Sequence, residues 1–227
     1  MLYFRGCTAR ERMNSISDAV EAILKIANID YEILDNEECC GSVLLRTGFV
    51  DEAKEEIQKN TDKLNHQKVL TSCAGCYKTL SQDYKELANI NLDVIHISQL
   101  LEQLIAENKI TPKKSEKSKK VTYHDPCHLG RHSEEYDAPR HVISYFADIE
   151  EMENIKENAK CCGSGGGVKS AYPEIAKSIA KFRGEEANKT NADMIVTSCP
   201  FCKLNLSENS SLDVLDLSEF VMENIEK

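Results

Sequence analysis

Short apolar stretches alternate with longer amphipathic stretches along the chain. The apolar stretches of the first half predict four strands, at Leu2–Phe4, Tyr31–Leu34, Lys68–Thr71 and Leu92–Ile95. Apolar residues at helical spacing predict four helices, at Ser15–Asn28, Val50–Leu64, Tyr77–Leu87 and Ser98–Glu107. Ser98 is a suitable N-cap for the last of these helices. This alternation of strands and helices is typical of a parallel sheet covered by helices.

The second half repeats this order. Its predicted strands are Val121–Tyr123, Met194–Thr197 and Leu212–Leu215, and its predicted helices are Ala138–Ala147, Ala171–Asn188 and one that begins at Ser218. The segment Val69–Cys73 closely matches Ile195–Cys199, which indicates a duplication. We therefore predict an α/β fold of two duplicated halves, 1–110 and 121–227, each a small parallel β-sheet flanked by helices, facing each other. The lysine-rich segment 111–120 is interpreted as a solvated linker between the halves.

Composition narrows the class of protein. Hydrophobic residues make up 41% of the 227 residues, which is enough for a sizeable core. The net charge of −10 argues against non-specific nucleic-acid binding, which needs a basic surface. The apolar start Met1–Phe4 is too short for a signal peptide, and no apolar run is long enough to cross a membrane. We therefore expect a cytoplasmic protein that reaches a membrane only through a partner subunit.

The ten cysteines form two sets of five with the same pattern of spacing. In each set a single cysteine is followed by a Cys-Cys-Gly motif and then by a Cys-x-x-Cys motif. The first set is Cys7, Cys39, Cys40, Cys73 and Cys76, and the second set is Cys127, Cys161, Cys162, Cys199 and Cys202. Two adjacent thiolates reach one centre only if the backbone bends, and the glycine can supply that bend. Because four of the ten follow predicted strands, each set should gather at the carboxyl edge of its own sheet.

Such sets of cysteines allow three interpretations, namely disulfides, zinc binding and iron–sulfur ligation, and the disulfide interpretation is weak. Thiols in the cytoplasm more often bind metals than form structural disulfides, and a set of five leaves one thiol unpaired. Four thiolates could hold a structural zinc ion, so zinc in one half stays open, although ligands scattered from Cys7 to Cys76 are unlike a compact zinc motif. Iron–sulfur ligation is the third interpretation. A cubane cluster takes four cysteines, so the fifth is either a spare or allows a non-cubane shape.

The doubled cysteine pattern resembles that of the cysteine-rich (CCG) domain family. The residues around the motifs also resemble those of this family, at 36–48 around Cys39-Cys40-Gly41, at 123–131 around Cys127 and at 161–169 around Cys161-Cys162-Gly163. They are most like the C-terminal catalytic half of the heterodisulfide reductase iron–sulfur subunit, in its membrane-associated two-subunit form. The resemblance covers essentially the whole chain. It implies that each set of five cysteines holds one non-cubane [4Fe–4S] cluster.

The resemblance also implies a function. It suggests an oxidoreductase subunit that reduces a heterodisulfide of two thiol coenzymes, of the coenzyme M–coenzyme B type, through one-electron transfers from two clusters flanking the disulfide. The catalytic contribution would come from Cys39, Cys40, Cys161 and Cys162 through their clusters. An alternative is an electron-transfer iron–sulfur subunit of a 2-hydroxy-acid (glycolate or lactate) or succinate/fumarate oxidoreductase. The chain lacks the ferredoxin-like motif of the family, so either a ferredoxin-type or cytochrome b subunit delivers electrons, or the chain is part of a longer protein.

A few further residues lie near the cysteine motifs. His124 and His128 flank Cys127, where they could donate hydrogen bonds or protons around the cluster. Arg46 and Lys169 follow the two Cys-Cys-Gly motifs and could pair with an anionic substrate. We expect the disulfide to lie in a positively charged cleft between Cys39-Cys40-Gly41 and Cys161-Cys162-Gly163, with both clusters in reach.

Overall fold

Two parallel sheets form the centre of the protein. The computed structural model describes residues 1–64, 67–113 and 119–226. The first sheet contains the strands β1 (Leu2–Phe4), β2 (Lys68–Thr71) and β3 (Asp93–His96), in the order β1-β2-β3. The second sheet contains β4 (Lys120–His124), β5 (Asp148–Ile149), β6 (Met194–Thr197) and β7 (Asp213–Asp216), in the order β5-β4-β6-β7. Every pairing in both sheets is parallel.

Helices cover the sheets. In the first half they are α1 (Cys7–Glu11), α2 (Asn14–Ile26), α3 (Ser42–Thr47), α4 (Val50–Leu64), α5 (Ala74–Lys78), α6 (Tyr84–Ala88) and α7 (Ile97–Ala106). In the second half they are α8 (Asp137–Phe146), α9 (Val168–Ala171), α10 (Pro173–Asn188), α11 (Pro200–Ser207) and α12 (Leu217–Asn224). A π-helical turn at Thr79–Asp83 joins α5 to α6, and Lys156–Asn158 forms a 3₁₀ turn. The predicted α/β fold with two duplicated parallel sheets is confirmed.

Several predicted elements need correction. Tyr31–Leu34 is not a strand, because β1 has only three residues and pairs with this segment through a single parallel bridge, Leu2 to Glu32. The helix predicted at Tyr77–Leu87 begins earlier, at Ala74, and includes the π-helical turn. Helix α7 has His96 rather than Ser98 as its N-cap, because the His96 ring accepts a hydrogen bond from the Ser98 N–H. Strand β5 has two residues, too few for a periodic signal.

The predicted linker is described only in part. Residues 114–118 lie outside the described residues, so their solvation is not settled. Before them, Pro112 pairs with Ile225 in an antiparallel bridge, and the Lys113 N–H donates to the Asn224 carbonyl at 2.8 Å. This part of the segment therefore packs on the C-terminal part of the chain. The division into domains at 1–110 and 121–227 stays a prediction.

The two halves share a hydrophobic core. One buried cluster contains side chains of both halves, among them Tyr3, Leu101, Tyr123 and Phe220. Helix α2 packs against α12, and α7 packs against α8. Fully burying a leucine or phenylalanine stabilises a fold by about 1.5–3 kcal/mol, so this shared core fixes the position of one sheet relative to the other. Among the described residues, no helix is both long enough and apolar enough to span a membrane.

Candidate metal centres

The carboxyl ends of the strands carry four of the ten cysteines. Cys7 follows β1, Cys73 follows β2 and is the N-cap of α5, and Cys127 and Cys199 follow β4 and β6. Parallel strands place their carboxyl ends at one edge, where a ligand can reach several loops at once. The sequence pattern of an apolar strand followed directly by cysteine therefore puts these thiols at the sheet edges.

Each Cys-Cys-Gly motif forms a sharp turn. Gly41 and Gly163 have positive φ angles of 86° and 82°, which glycine adopts without the strain of a side chain. In each turn the glycine N–H donates to the first cysteine sulfur, at 3.4 Å to Cys39 and 3.2 Å to Cys161. This bond turns the first thiol back over the motif, so that both adjacent thiols face one region.

Neighbouring thiols of the first set lie close enough to change one another's pKa. Cys39 raises the pKa of Cys7, and Cys40 and Cys73 raise the pKa of Cys76. Cys40 raises the pKa of Cys39 to about 11. Cys39 and Cys76 hold the pKa of Cys40 well below its usual range. The thiols of this set therefore influence one another's protonation.

The second set repeats this arrangement. Cys161 and Cys202 hold the pKa of Cys162 well below the usual range of a thiol. Cys162 and Cys199 raise the pKa of Cys202. Burial raises the pKa of Cys127 to about 11, and charges on Cys162 and Cys199 add to this increase. In both sets the second cysteine of the Cys-Cys-Gly motif is the centre of the group.

The two sets meet inside the protein. Cys73 and Cys199 change each other's pKa, so one thiol of each half lies close to the other half. The loop after the second Cys-Cys-Gly motif also approaches the first half, because a Cβ on Gly167 would lie 2.8 Å from Thr47 Cγ2. The sulfurs of Cys73 and Cys199 are buried, whereas Cys161 is exposed and Cys39 is half-buried. The junction between the sets is thus closed from solvent, and within each Cys-Cys-Gly turn the first cysteine is accessible whereas the second, Cys40 or Cys162, is buried.

This donor set fits an iron–sulfur cluster in each half. All ten cysteines are free thiols, and six of them are buried. The thiols of each set lie near one another, and metal binding would replace their protons because thiolates are the ligating form. The buried hydroxyl of Ser164, next to the second motif, has no hydrogen-bond partner among the described residues. The thiol donors and this unpartnered hydroxyl both suit an added polar group. The residues that would hold it are the five cysteines of each set.

The predicted neighbouring residues have different surroundings. His124 is buried, and one of its ring nitrogens lies within 4.8 Å of the Cys162 and Cys202 sulfurs. His128 lies across the junction, since a Cβ on Gly75 would be 3.4 Å from His128 Nδ1. Burial lowers the pKa of His128. Both histidines therefore lie beside the thiols, as the sequence suggested, and their functional roles stay predictions.

The two predicted cations are both paired with acids. Arg46 Nη2 lies 2.7 Å from Asp83 Oδ2, and Lys78 pairs with the same carboxylate. Lys169 donates to Asn205 Oδ1 at 2.8 Å and also pairs with Glu208. The role of Arg46 and Lys169 toward a substrate stays a prediction, as does a cleft between the two Cys-Cys-Gly turns.

Sequence reasoning missed buried polar residues at the sites, among them Arg183 and Asn60. Arg183 on α10 is fully buried, and its Nε donates to His124 Nδ1 at 3.1 Å. Asn60 on α4 is also fully buried, and its Nδ2 donates to the Cys39 carbonyl at 2.7 Å. Helices α4 and α10 occupy matching places in the two halves, so an alignment of the repeats along these helices could have singled out both residues.

The fold and the cysteine positions define a duplicated α/β protein with a set of five thiols in each half. The chain belongs to the cysteine-rich (CCG) domain family, whose model matches residues 1–81 and 121–207. The family resemblance expected from the cysteine pattern is confirmed.

Relatives of this chain include redox and iron–sulfur proteins of methanogens. A dihydromethanophenazine:CoB--CoM heterodisulfide reductase subunit of Methanosarcina acetivorans is 42% identical over 219 residues, covering 92% of this chain and 53% of the relative. A fumarate reductase (CoM/CoB) subunit of Methanothermobacter marburgensis is 36% identical over 224 residues, covering 98% of this chain and 44% of the relative. An uncharacterised iron–sulfur protein of Methanocaldococcus jannaschii is 36% identical over 210 residues, covering 91% and 41%. The chain spans about half the length of these relatives or less. They support iron–sulfur binding and a redox role for this chain.

Proposed function

We propose that this chain is the iron–sulfur catalytic part of an oxidoreductase that reduces a heterodisulfide of two thiol coenzymes. The observation that carries the proposal is the closeness of the buried Cys73 and Cys199, one from each five-cysteine set, which change each other's pKa. Two electron-transfer centres on opposite faces could not serve one disulfide. The similarity to the heterodisulfide reductase of Methanosarcina acetivorans supports the choice of substrate class.

The reaction needs two electrons and two protons to convert one disulfide into two thiols. When bound, the two clusters would supply these electrons singly, one from each side of the sulfur–sulfur bond. The cysteines hold and separate the two centres, and the shared core keeps the halves from moving apart. Buried surroundings exclude water from the junction, while the half-buried Cys39 and the exposed Cys161 are the cysteines of the two Cys-Cys-Gly motifs that solvent reaches.

Cationic groups beside the junction support an anionic substrate. Charges of Arg46 and Lys78 act on the His128 ring, and charges of Arg46, Lys78 and Arg131 act on His132. Asp83 is the acid paired with Arg46 and Lys78. A substrate carboxylate, phosphate or sulfonate could compete with Asp83 for the Arg46 guanidinium, which suits planar oxyanions.

The proposal also assigns partners. A ferredoxin-type or cytochrome b subunit, or a further segment of a longer chain, would deliver the electrons. The ten cysteines are all used by the two sets, so the 227 residues contain no further thiol set for a relay. Any membrane contact would run through that partner.

A second function is favoured by one specific relative. The fumarate reductase (CoM/CoB) chain of Methanothermobacter marburgensis is 36% identical over nearly the whole of this chain. On this alternative, the two centres pass electrons to or from a flavin-bearing subunit of a fumarate or 2-hydroxy-acid oxidoreductase. The catalytic oxidation or reduction of the acid would then take place on that subunit.

Metal analysis followed by a disulfide assay tests the proposal. After anaerobic reconstitution, about eight iron and about eight sulfide per chain are expected for two four-iron clusters. Reduced methyl viologen should then convert a mixed disulfide of two anionic thiols to free thiols in the presence of this chain. Bound zinc without iron would contradict the redox function. Two clusters without any thiol release would favour the electron-transfer alternative.

A further inference from the structure

The polar lining of the second thiol set differs from that of the first at two matched positions. Tyr3 and Tyr123 are equivalent, since their hydroxyls contact Ser72 Oγ and Ser198 Oγ, both at 3.1 Å. The next residue is Phe4 in the first half and His124 in the second. The duplication has therefore placed an imidazole where the first half has a hydrocarbon ring.

The second difference lies on helices α4 and α10. Gly41 approaches Ala53 on α4, and Gly163 approaches Ala176 on α10, which aligns the two helices. With this alignment Asn60 corresponds to Arg183, and both are fully buried. The Asn60 amide Nδ2 donates hydrogen bonds to the Cys39 and Glu56 carbonyls and to the Tyr84 hydroxyl. Arg183 instead donates from Nε to the His124 ring.

The Arg183 contact fixes the tautomer of His124. A guanidinium can only donate hydrogen bonds, so His124 Nδ1 must present its lone pair to Arg183 Nε, 3.1 Å away. The ring proton of the neutral imidazole is then on Nε2. Arg183 itself is held by the Asn154 carbonyl at 2.9 Å and by Glu186 Oε2 at 2.7 Å, so it cannot turn away without breaking an ion pair. The positions of three groups therefore determine which ring nitrogen carries the proton.

This tautomer decides what His124 can do toward the thiols. One of its ring nitrogens lies within 4.8 Å of both the Cys162 and the Cys202 sulfurs. A histidine that binds a metal presents a lone pair to the ion and donates its other N–H to an acceptor. Here the polarity is reversed, because the outer nitrogen faces a donor. His124 is therefore an N–H donor toward sulfur rather than a metal ligand.

We propose that His124, held by Arg183, donates its Nε2–H to the Cys162 sulfur and makes the second-half cluster easier to reduce than the first-half cluster. This inference rests on the proposed function, because it requires clusters in both sets. Reduction adds one electron to a cluster from an external reductant, and it breaks no bond. Hydrogen bonds to cluster sulfurs are among the factors that set the reduction potential, since a donor stabilises the more negative state. The first set has Phe4 at the matched place and gains no such donor from it.

A redox titration of the reconstituted chain tests the inference. The fraction of each cluster reduced is followed by electron paramagnetic resonance against solution potential, with dithionite as reductant. Variants Cys40→Ala and Cys162→Ala assign the two waves to the halves. The second-half wave should have the higher midpoint in the unchanged chain. His124→Phe should lower the reduced-to-oxidised ratio of that wave at least tenfold at fixed potential, which is about 59 mV for one electron.

Matched variants separate donation from packing. His124→Gln keeps an N–H donor and should retain most of the unchanged midpoint, whereas Arg183→Met frees the ring tautomer and should lower the midpoint in part. Phe4→Leu changes the core at the matched position and should leave the second-half wave in place.

Three outcomes would overturn the inference while leaving two clusters in the unchanged chain. The first is an unchanged second-half midpoint in His124→Phe. The second is an equal fall of that midpoint in His124→Gln and His124→Phe. The third is loss of half the iron in His124→Phe, which would make the histidine a ligand. Failure of the unchanged chain to bind two clusters would instead contradict the proposed function.

Discussion

The two halves have the same framework and differently lined metal centres. Both halves keep the tyrosine–serine hydrogen bond before the Cys-x-x-Cys motif and the positive-φ glycine after the paired cysteines. Among the described residues, only the second half has a buried cation and an imidazole in contact beside its thiols. The comparison teaches that the groups that aim the thiols are shared, whereas the groups that set the electrostatics around them differ.

A second contrast lies at the N-termini of helices α7 and α12. The side chains of His96 and Asp216 cap α7 and α12 by accepting a hydrogen bond from the N–H two residues later, and the backbone N–H of each cap donates to the side-chain oxygen of Gln99 or Glu219. The two capping boxes have the same geometry, but the cap of α7 is a base and the cap of α12 is an acid. Burial lowers the pKa of His96 to about 4 and raises the pKa of Asp216 to about 7.

The largest expected effect comes from removing the paired cysteines of one half. Cys39→Ala with Cys40→Ala should remove about half of the bound iron, because each half has its own five thiols. Cys161→Ala with Cys162→Ala should remove the other half. Iron analysis and the remaining paramagnetic signal measure both effects. Loss of all iron from a chain that keeps its circular dichroism would show that the closeness of Cys73 and Cys199 makes the two centres interdependent.

The sequence predicts the framework better than the electrostatics of the sites. Strand Lys68–Thr71 was predicted residue for residue, because its apolar run ends directly at a cysteine motif. The ten cysteines stood out as two sets because the same five-cysteine pattern occurs once in each half. The Arg183–His124 bond did not stand out, because it joins residues 59 positions apart, and neither belongs to a motif that fixes the other. The strand predicted at Tyr31–Leu34 failed for the opposite reason. Its local pattern is strand-like, but that pattern does not reveal how few residues of β1 are available to pair with it.

The pH dependence of stability should differ between the two capping residues. The folded-state pKa of Asp216 is raised by burial to about 7 from 3.8, with Glu219 and Lys203 as its charged neighbours. Its contribution to the free energy of unfolding is therefore fully present below about pH 4 and is lost as pH rises through 7. This loss amounts to up to about 4 kcal/mol. Asp216→Asn should remove this decline in urea unfolding of the metal-free, reduced chain between pH 4.5 and 7.5.

His96→Asn is the matched control for that experiment. The lowered pKa of His96 gives a contribution that is present above pH 6.5 and lost as pH falls toward about 4. The two variants should therefore change the slope of stability against pH in opposite directions. Equal slopes in Asp216→Asn and the unchanged chain would contradict the assignment of a buried, proton-retaining carboxyl at the cap of α12.

The two Cys-Cys-Gly turns should tolerate a side chain unequally. A Cβ on Gly41 would lie 3.5 Å from the Ala53 carbonyl oxygen, whereas a Cβ on Gly163 would lie 2.6 Å from the Ala176 carbonyl oxygen. Both alanines would adopt positive φ, at about 1–2 kcal/mol each. Gly163→Ala must also displace helix α10, so it should be the more destabilising by about 2 kcal/mol. Urea unfolding of the two variants measures the difference, and equal losses would mean that α10 moves freely.

The smallest expected effect is also the most symmetric. Tyr3→Phe and Tyr123→Phe each remove one hydroxyl from a buried bond of 3.1 Å to the serine that precedes Cys73 or Cys199. Each loss should cost about 1 kcal/mol, because the serine hydroxyl is left without its tyrosine partner. The Arg140 guanidinium lies 5.1 Å from the Tyr123 ring centroid, and phenylalanine keeps this contact, so it should not unbalance the comparison. Urea unfolding at neutral pH measures both losses. A loss in one half that exceeds the other by more than about 1 kcal/mol would show that this shared bond, which anchors the strand end carrying each Cys-x-x-Cys motif, is not equivalent in the two halves.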